Sequence, residues 1–376
     1  MSNSIKQIIS SGLANIFSSS SSDSVLGVDI GTASIKVVQL KRQKGKAVLE
    51  TYGALSLGPY AKTEVGKATN LSVDDLVKAL EDAMKESNVT TNTGTISIPT
   101  ASSLVFVVSL PATITEQEIP QVVPMEARKF IPVPMSEVTL DWFVIPKEAE
   151  AYENDVSQSV VKSPENKIEV LCVAIHNDTL IHYQEILKKT GIHSNSFEME
   201  VFSSIRSSFS HDLAPVLLMD FGASKTKLSI VEGGIVKSFH IVNRGSQDIS
   251  NNIASSLGVN FNEAEKLKRE VGLNLSENKE VAEIAKLSVD YIFGETNNIV
   301  LAFEKKYNKS ISKVVLSGGG SLLRGLLDYA SISFHTDVIS SDPFSKTEAP
   351  AFLGPILKAS GPEFSVAVGL ALRQLL

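Results

Sequence analysis

Two short stretches, Asp29-Ile30-Gly31-Thr32 and Asp220-Phe221-Gly222-Ala223, carry residue types that can grip phosphate. Each puts a carboxylate at the end of an apolar run, followed by a glycine and small residues. Backbone N–H groups in such a turn can approach an anion with no Cβ in the way. A single D-x-G is a weak signal, because ordinary hairpin turns share it. Here VLGVDIGTASIK and VLLMDFGASKTK align without a gap, so that Asp29 matches Asp220, Gly31 matches Gly222 and Lys36 matches Lys227. Two such turns facing each other would hold one phosphate chain. Asp29 and Asp220 could then orient a hydrated Mg²⁺, which keeps most of its waters, and Lys36 could neutralise a terminal phosphate. Lys227 either reaches phosphate or faces solvent, and is not assigned to the site.

Two further motifs could complete a nucleotide site. Gly318-Gly319-Gly320-Ser321 follows the apolar run KVVLS, where missing side chains leave room for a flat ring; a flexible strand-to-helix turn is the alternative. In FNEAEKLKREVG, Glu265 and Lys268 stand one helical turn apart and could bracket a ribose with one acceptor and one donor. Alternatively, Glu265 closes a capping box opened by Asn262.

The elements that must position these residues repeat with them. Residues 25–50 and 216–239 both read as strand, turn, strand, turn, strand, implying two duplicated lobes. Residues 24–212 form lobe one and 213–376 lobe two. Ser72 opens a helix with Asp75 at the capping-box position and a buried stripe of Leu76, Val77, Leu80 and Met84. A small α+β subdomain is inserted at about 99–176, and the helix from Asp178 to Lys189 stops at Gly191. A mainly helical subdomain occupies about 246–312, with Ile284, Leu287, Ile292, Ile299 and Phe303 on the buried face of one long helix. A further helix starts near Leu322, and FSVAVGLALRQLL closes lobe two. Residues 1–23 stand apart: Ile5, Ile8, Ile9, Leu13, Ile16 and Phe17 recur at helical spacing ahead of a serine run. They read as an amphipathic helix on a flexible tail, either docking elsewhere or folded back.

Composition excludes several classes. The 376 residues are 43% hydrophobic and carry a net charge of −7, which disfavours nucleic acid as a partner. The one cysteine, Cys172, cannot form an internal disulfide, and the six histidines show no ligand spacing for a transition metal. No run approaches the roughly 20 apolar residues needed to span a bilayer, so any membrane contact is expected to be peripheral.

The order D-I-G-T-x-S-x-K, D-F-G-A-x-x-T, A-E-x-x-K, S-G-G-G is similar to the nucleotide signature of the actin, heat-shock chaperone and sugar-kinase superfamily. MEARKFIPVPMSEVTLDWFVI resembles the PilM family, in the FtsA and PilM branch, through Glu126, Ala127, Ile131, Pro132, Pro134, Glu137, Val138, Leu140 and Asp141. The resemblance runs from about Ser24 to the C-terminus. It implies an α/β, actin-like two-lobed ATPase fold with duplicated ribonuclease-H-like lobes and an inserted small subdomain. It assigns ATP or ADP with Mg²⁺ to a site made of Asp29, Gly31, Thr32, Ser34 and Lys36 in a first phosphate loop and Asp220, Gly222, Ala223, Ser224 and Thr226 in a second. Glu265, Lys268, Gly318, Gly319 and Gly320 are the implied ribose and adenine contacts.

The same resemblance makes Glu200 a candidate for orienting a hydrolytic water, against the plainer reading of an exposed acid before a helix. It implies at most weak ATPase activity. The implied role is that of a cytoplasmic scaffold of the type IV pilus machine, peripheral at the inner membrane. Its partner would be the N-terminal peptide of a PilN-like inner-membrane protein, with other platform proteins, assembly ATPases or self-association as further contacts. An FtsA-like filament-forming ATPase and a sugar or small-acid kinase are the alternatives.

Overall fold

The computed structural model describes residues 24–145, 167–194, 196–209 and 212–375. They form two compact units, a smaller one over Thr100–Ile181 and a larger one that takes residues 24–99 and 182–375. The amphipathic reading of residues 1–23 lies outside the described residues.

The larger unit opens with an antiparallel meander, β1 (Ser24–Ile30), β2 (Ser34–Gln43) and β3 (Lys46–Ser56). Every β1 residue after Ser24 is buried, which is why VLGV reads as an unbroken apolar run rather than an alternation, with Asp29 a buried charge at its end. In α1 (Val73–Glu86) the Ser72 hydroxyl accepts from the Asp75 amide, and Leu76, Ala79, Leu80 and Ala83 are buried. Val77 and Met84 are only half-buried, because two alanines share the inward stripe. β4 (Gly94–Ile98) then lies parallel to β1.

The smaller unit contains β5 (Ser103–Pro111), α2 (Ile119–Ala127), β6 (Val138–Val144) and β7 (Lys167–His176), in an antiparallel sheet of order β5-β7-β6. Val108, Leu110, Val170 and Cys172 pack against Ile119 and Val123 of α2. Burial, reinforced by the Asp141 carboxylate, pushes the Cys172 thiol up to about 12, so it is a core side chain and not a nucleophile.

The chain returns through α3 (Asn177–Thr190), stopped by Gly191 at φ +68°, into β8 (Glu198–Met199), parallel to β4, and α4 (Glu200–Ser208). A second antiparallel meander follows: β9 (Val216–Phe221), β10 (Thr226–Glu232) and β11 (Ile235–Val242). After α5 (Ser246–Leu257), α6 (Phe261–Val271) and α7 (Lys279–Tyr307) come β12 (Lys313–Ser317), α8 (Leu326–Phe334), β13 (Asp337–Ser340), α9 (Gly354–Ser360) and α10 (Ser365–Leu375). The two five-stranded sheets have orders β3-β2-β1-β4-β8 and β11-β10-β9-β12-β13. They share one plan, three antiparallel strands continued by two parallel ones, and each carries an irregularity between its second and third strands, at Gln39/Leu40 and Ile230/Val231.

Three expectations shift. In α7 the inward stripe runs through Val281, Ala285, Val289, Ile292, Thr296 and Phe303, while Leu287 is 71% exposed. Small residues carry the stripe, and a reading anchored on large side chains put Leu287 on the wrong face. The helix expected near Leu322 is a single 3₁₀ turn, Gly319–Leu322, and α8 begins at Leu326. α10 is buried on nearly every side, and Ala367, Val368, Ala371 and Leu372 join a core with Val25, Val38 and Leu40 of the first sheet. It also crosses α4 so closely that a Cβ on Gly369 would stand 1.9 Å from the Ser203 carbonyl oxygen, which only glycine permits. Among the described residues no helix is long and apolar enough to cross a membrane.

Candidate functional site

The two turns between the first and second strand of each sheet have the same internal geometry. Asp29 pairs across the ladder with Lys36, and Asp220 with Lys227. The Gly31 amide donates to the Ser34 carbonyl at 3.0 Å, and the Gly222 amide to the Lys225 carbonyl at 3.0 Å. The turns meet, with Thr32 Oγ1 lying 3.2 Å from Ser224 Oγ.

Their carbonyls are occupied from outside. Thr32 O accepts from the Thr69 amide and Ala33 O from the Leu57 amide. Gly222 O and Ala223 O accept from the Ser246 and Gln247 amides, which open α5. Among the described residues no acceptor meets the amides of Thr32, Ala33, Ala223 or Ser224, and Lys36 makes neither a hydrogen bond nor an ion pair. Four unmet amides in two touching loops, with the Lys36 ammonium group on the strand that leaves the first, are groups that could cradle an anion. Gly318, at φ +81°, closes one side: a Cβ there would meet Asp220 Oδ1 at 2.3 Å. Gly319 is open, and Gly320 lies against the Phe221 ring.

The charged groups nearby are largely buried. Asp29 accepts from Ser97 Oγ at 3.1 Å. Burial drives its carboxyl up to about 6; Glu200 and Asp220 add to the rise, while Lys36 and Lys227 oppose it. Lys227 does not face solvent. Its Nζ lies 2.7 Å from Glu200 Oε2 and 2.9 Å from Asp220 Oδ2. Burial alone would lower its pKa, but the two carboxylates outweigh that and hold it well above the ordinary lysine value. Glu200, the first residue of α4, is correspondingly buried rather than exposed.

Not every anticipated residue opens onto the cradle. The Thr226 hydroxyl is buried and donates to the Arg244 carbonyl at 2.9 Å. Glu265 and Lys268 are both 7% exposed and bond each other at 2.6 Å. Ser250 and Arg269 also donate to Glu265, and Lys268 to the Ser246 carbonyl. The Lys268 charge and these bonds outweigh burial and lower the Glu265 pKa, while burial lowers that of Lys268. Glu265 closes no capping box. Asn260 is the N-cap of α6 and accepts from the Glu263 amide, because Phe261 turns into the core and starts the helix two residues earlier. The Glu265–Lys268 pair instead ties α6 to α5 beneath the second loop. Ser97 was not anticipated, and Lys227 was weighed but not assigned to the site. For Lys227 a signal existed, since the gapless alignment gives it the strand register of Lys36.

The family model described as "Type IV pilus assembly protein PilM" matches residues 27–375. The chain belongs to the PilM family. Among solved structures, this PilM-family chain is similar to one titled "PilM-PilN type IV pilus biogenesis complex", at 20% identity and TM-score 0.77, covering 94% of this chain and 98% of that one. It is also similar to the ethanolamine utilization protein EutJ of Carboxydothermus hydrogenoformans, at 14% identity and TM-score 0.52, covering 98% and 95%. Among curated proteins, the cell division protein FtsA of Bacillus subtilis (strain 168) is 21% identical over 380 residues, 92% of this chain and 82% of FtsA. The fold is the two-lobed, actin-like one, with the paired meanders as its repeated lobes.

The PilM-family cradle fits a phosphate chain, by its unmet amides and unpaired Lys36. It fits a resident divalent ion poorly. Asp220 and Glu200 are bridged by the Lys227 ammonium group.

Proposed function

We propose that this chain is a nucleotide-holding scaffold of the type IV pilus assembly machine. It docks the cytoplasmic N-terminal peptide of a PilN-like inner-membrane protein, and the nucleotide sets how its lobes close. The observation that carries the reading is the pair of touching loops in which the Thr32, Ala33, Gly222 and Ala223 carbonyls are occupied while the Thr32, Ala33, Ala223 and Ser224 amides meet no acceptor among the described residues, beside the unpaired Lys36. A nucleotide's phosphates would bridge the lobes through those amides, which couples occupancy to lobe arrangement. Glu200 has an oxygen 2.7 Å from the Lys227 ammonium, an engagement that favours holding nucleotide over hydrolysing it.

Family membership supports the pilus role, and the relative titled as a PilM–PilN complex supports a partner of PilN type. Peripheral attachment at the cytoplasmic face of the inner membrane follows from such a partner. The small unit offers apolar surface for a peptide: Met125 and Phe130 are 62% and 50% exposed, and Phe130 stacks on Phe106 at 5.0 Å.

Linkage makes the coupling reciprocal, so ATP and peptide must raise each other's affinity by the same factor. A synthetic PilN-type N-terminal peptide titrated into the full chain is expected to bind about fivefold or more tightly with saturating ATP than without. Absence of peptide binding in both conditions would remove the docking role. Equal affinity in both would remove the coupling and leave the docking.

A further inference from the structure

Lys36 and Lys227 occupy matching register positions, yet only Lys227 is engaged. Its ammonium sits between Asp220 Oδ2 at 2.9 Å and Glu200 Oε2 at 2.7 Å, and the three side chains are only 9–17% exposed. The other Asp220 oxygen, Oδ1, lies beside Gly318, where a Cβ would stand 2.3 Å from it. Asp29, the remaining carboxylate of the cluster, is buried and accepts from Ser97. A hydrated Mg²⁺ held through its waters needs carboxylate oxygens open to accept from those waters. Seating one here would displace a buried ammonium from two partners and strand it in a water-poor place, a cost of the kind that follows from breaking any buried ion pair.

We propose that Lys227 stands in for the divalent cation, so that this chain binds the phosphate chain of a nucleoside triphosphate without metal. The inference rests on the phosphate-binding reading above and narrows it. Lys227 supplies a fixed positive charge that neutralises Asp220 and Glu200, the two carboxylates that would otherwise repel the phosphates. Lys36, unpaired among the described residues, faces the phosphate charge directly. Because the cation is covalently part of the protein, nucleotide affinity loses its dependence on free magnesium. An ammonium on a flexible stem is suited to this, being a compact, strongly hydrated point charge with three donors.

The test is calorimetric titration of ATP into the full chain, once in millimolar magnesium chloride and once in excess EDTA, with wild type and with Lys227→Asn. Wild type is expected to bind with affinities within about threefold of each other in the two buffers. Lys227→Asn is expected to bind about tenfold or more weakly in EDTA than in magnesium, because its vacated carboxylates then require a cation. A wild-type loss of about tenfold in EDTA would overturn the proposal, and this comparison stands even if the variant does not fold. Equal binding by the variant in both buffers would also overturn it, by removing Lys227 from the cause. If wild type binds no ATP in either buffer, the phosphate-binding reading itself fails, and this inference with it.

Discussion

Replacing Arg206 with methionine is expected to destabilise the larger unit by about 3 kcal/mol, the lower end of what breaking a buried ion pair costs. Glu198 is 2% exposed, and its carboxylate receives both guanidinium nitrogens of Arg206 at 2.6 Å, the Ser203 hydroxyl at 2.7 Å and a more distant Arg373 at 3.7 Å. Arg206 also donates to the Gly369 carbonyl at 3.1 Å, so the pair fastens α4 to α10 where Gly369 allows the helices to touch. Methionine keeps much of the volume but leaves the carboxylate with Arg373 and one hydroxyl, hence the lower end of the range. Burial alone would raise the Glu198 pKa, but Arg206, Arg373 and Ser203 outweigh it and hold it below the usual 4.5.

The sign for Glu198 follows from that lowering. A carboxyl whose pKa falls on folding stabilises above its unfolded value, and that contribution is lost as pH drops through the folded value. The gap between wild type and Arg206→Met is therefore expected to be widest near neutrality and to narrow below about pH 4.5, as chemical denaturation across that range would show. A double variant, Glu198→Leu with Arg206→Met, should recover part of the loss, because the buried carboxylate that the single variant leaves underpaired is then gone, although Arg373 loses its more distant partner. A single variant as stable as wild type would show that the pair adds nothing.

Replacing Asp29 with asparagine is expected to act in the opposite direction, stabilising the fold by up to about 3 kcal/mol at pH 7.5. Burial raises the Asp29 carboxyl from 3.8 to about 6. Lys36 and Lys227 oppose that rise, while Glu200 and Asp220 reinforce it. The folded chain therefore holds a proton that the unfolded chain has released between those two values. Stability falls as pH rises through that window, and the full penalty stands above it. Asparagine keeps an acceptor for Ser97 and never ionises, so it escapes the penalty. Thermal melts should show Asp29→Asn well above wild type at pH 7.5 and level with it at pH 4. A variant less stable than wild type at pH 7.5 would contradict the burial argument. A side chain that costs stability where it stands, inside a candidate binding site, is the usual mark of a residue kept for function.

The parts of this fold legible in the sequence were those written in local pattern. The repeated D-x-G turns announced the twin meanders because both strands and both turns recur in register. Ser72 announced α1 because its cap bond closes within one helical turn. The cradle's amides and Lys36 were legible for the same reason. What escaped lay across long separations or depended on burial. Glu200 and Lys227 meet over 27 positions, and nothing local marks either as the other's partner. Asn260 and Asn262 are equally good caps on paper, and the burial of Phe261 decides between them. Residues 365–375 read as an apolar helix that closes lobe two, and nothing local shows that they also cover the first sheet.

If the two touching loops hold a phosphate chain, ATP binds there saturably and Lys36 contributes to its affinity. The most direct measurement is calorimetric titration of ATP into wild type and into Lys36→Ala, a variant that removes the one ammonium group of the cradle with no protein partner among the described residues. One ATP per wild-type chain is expected, with an affinity about tenfold or more weaker in the variant. No saturable binding by wild type, or equal affinity in the two proteins, would contradict it.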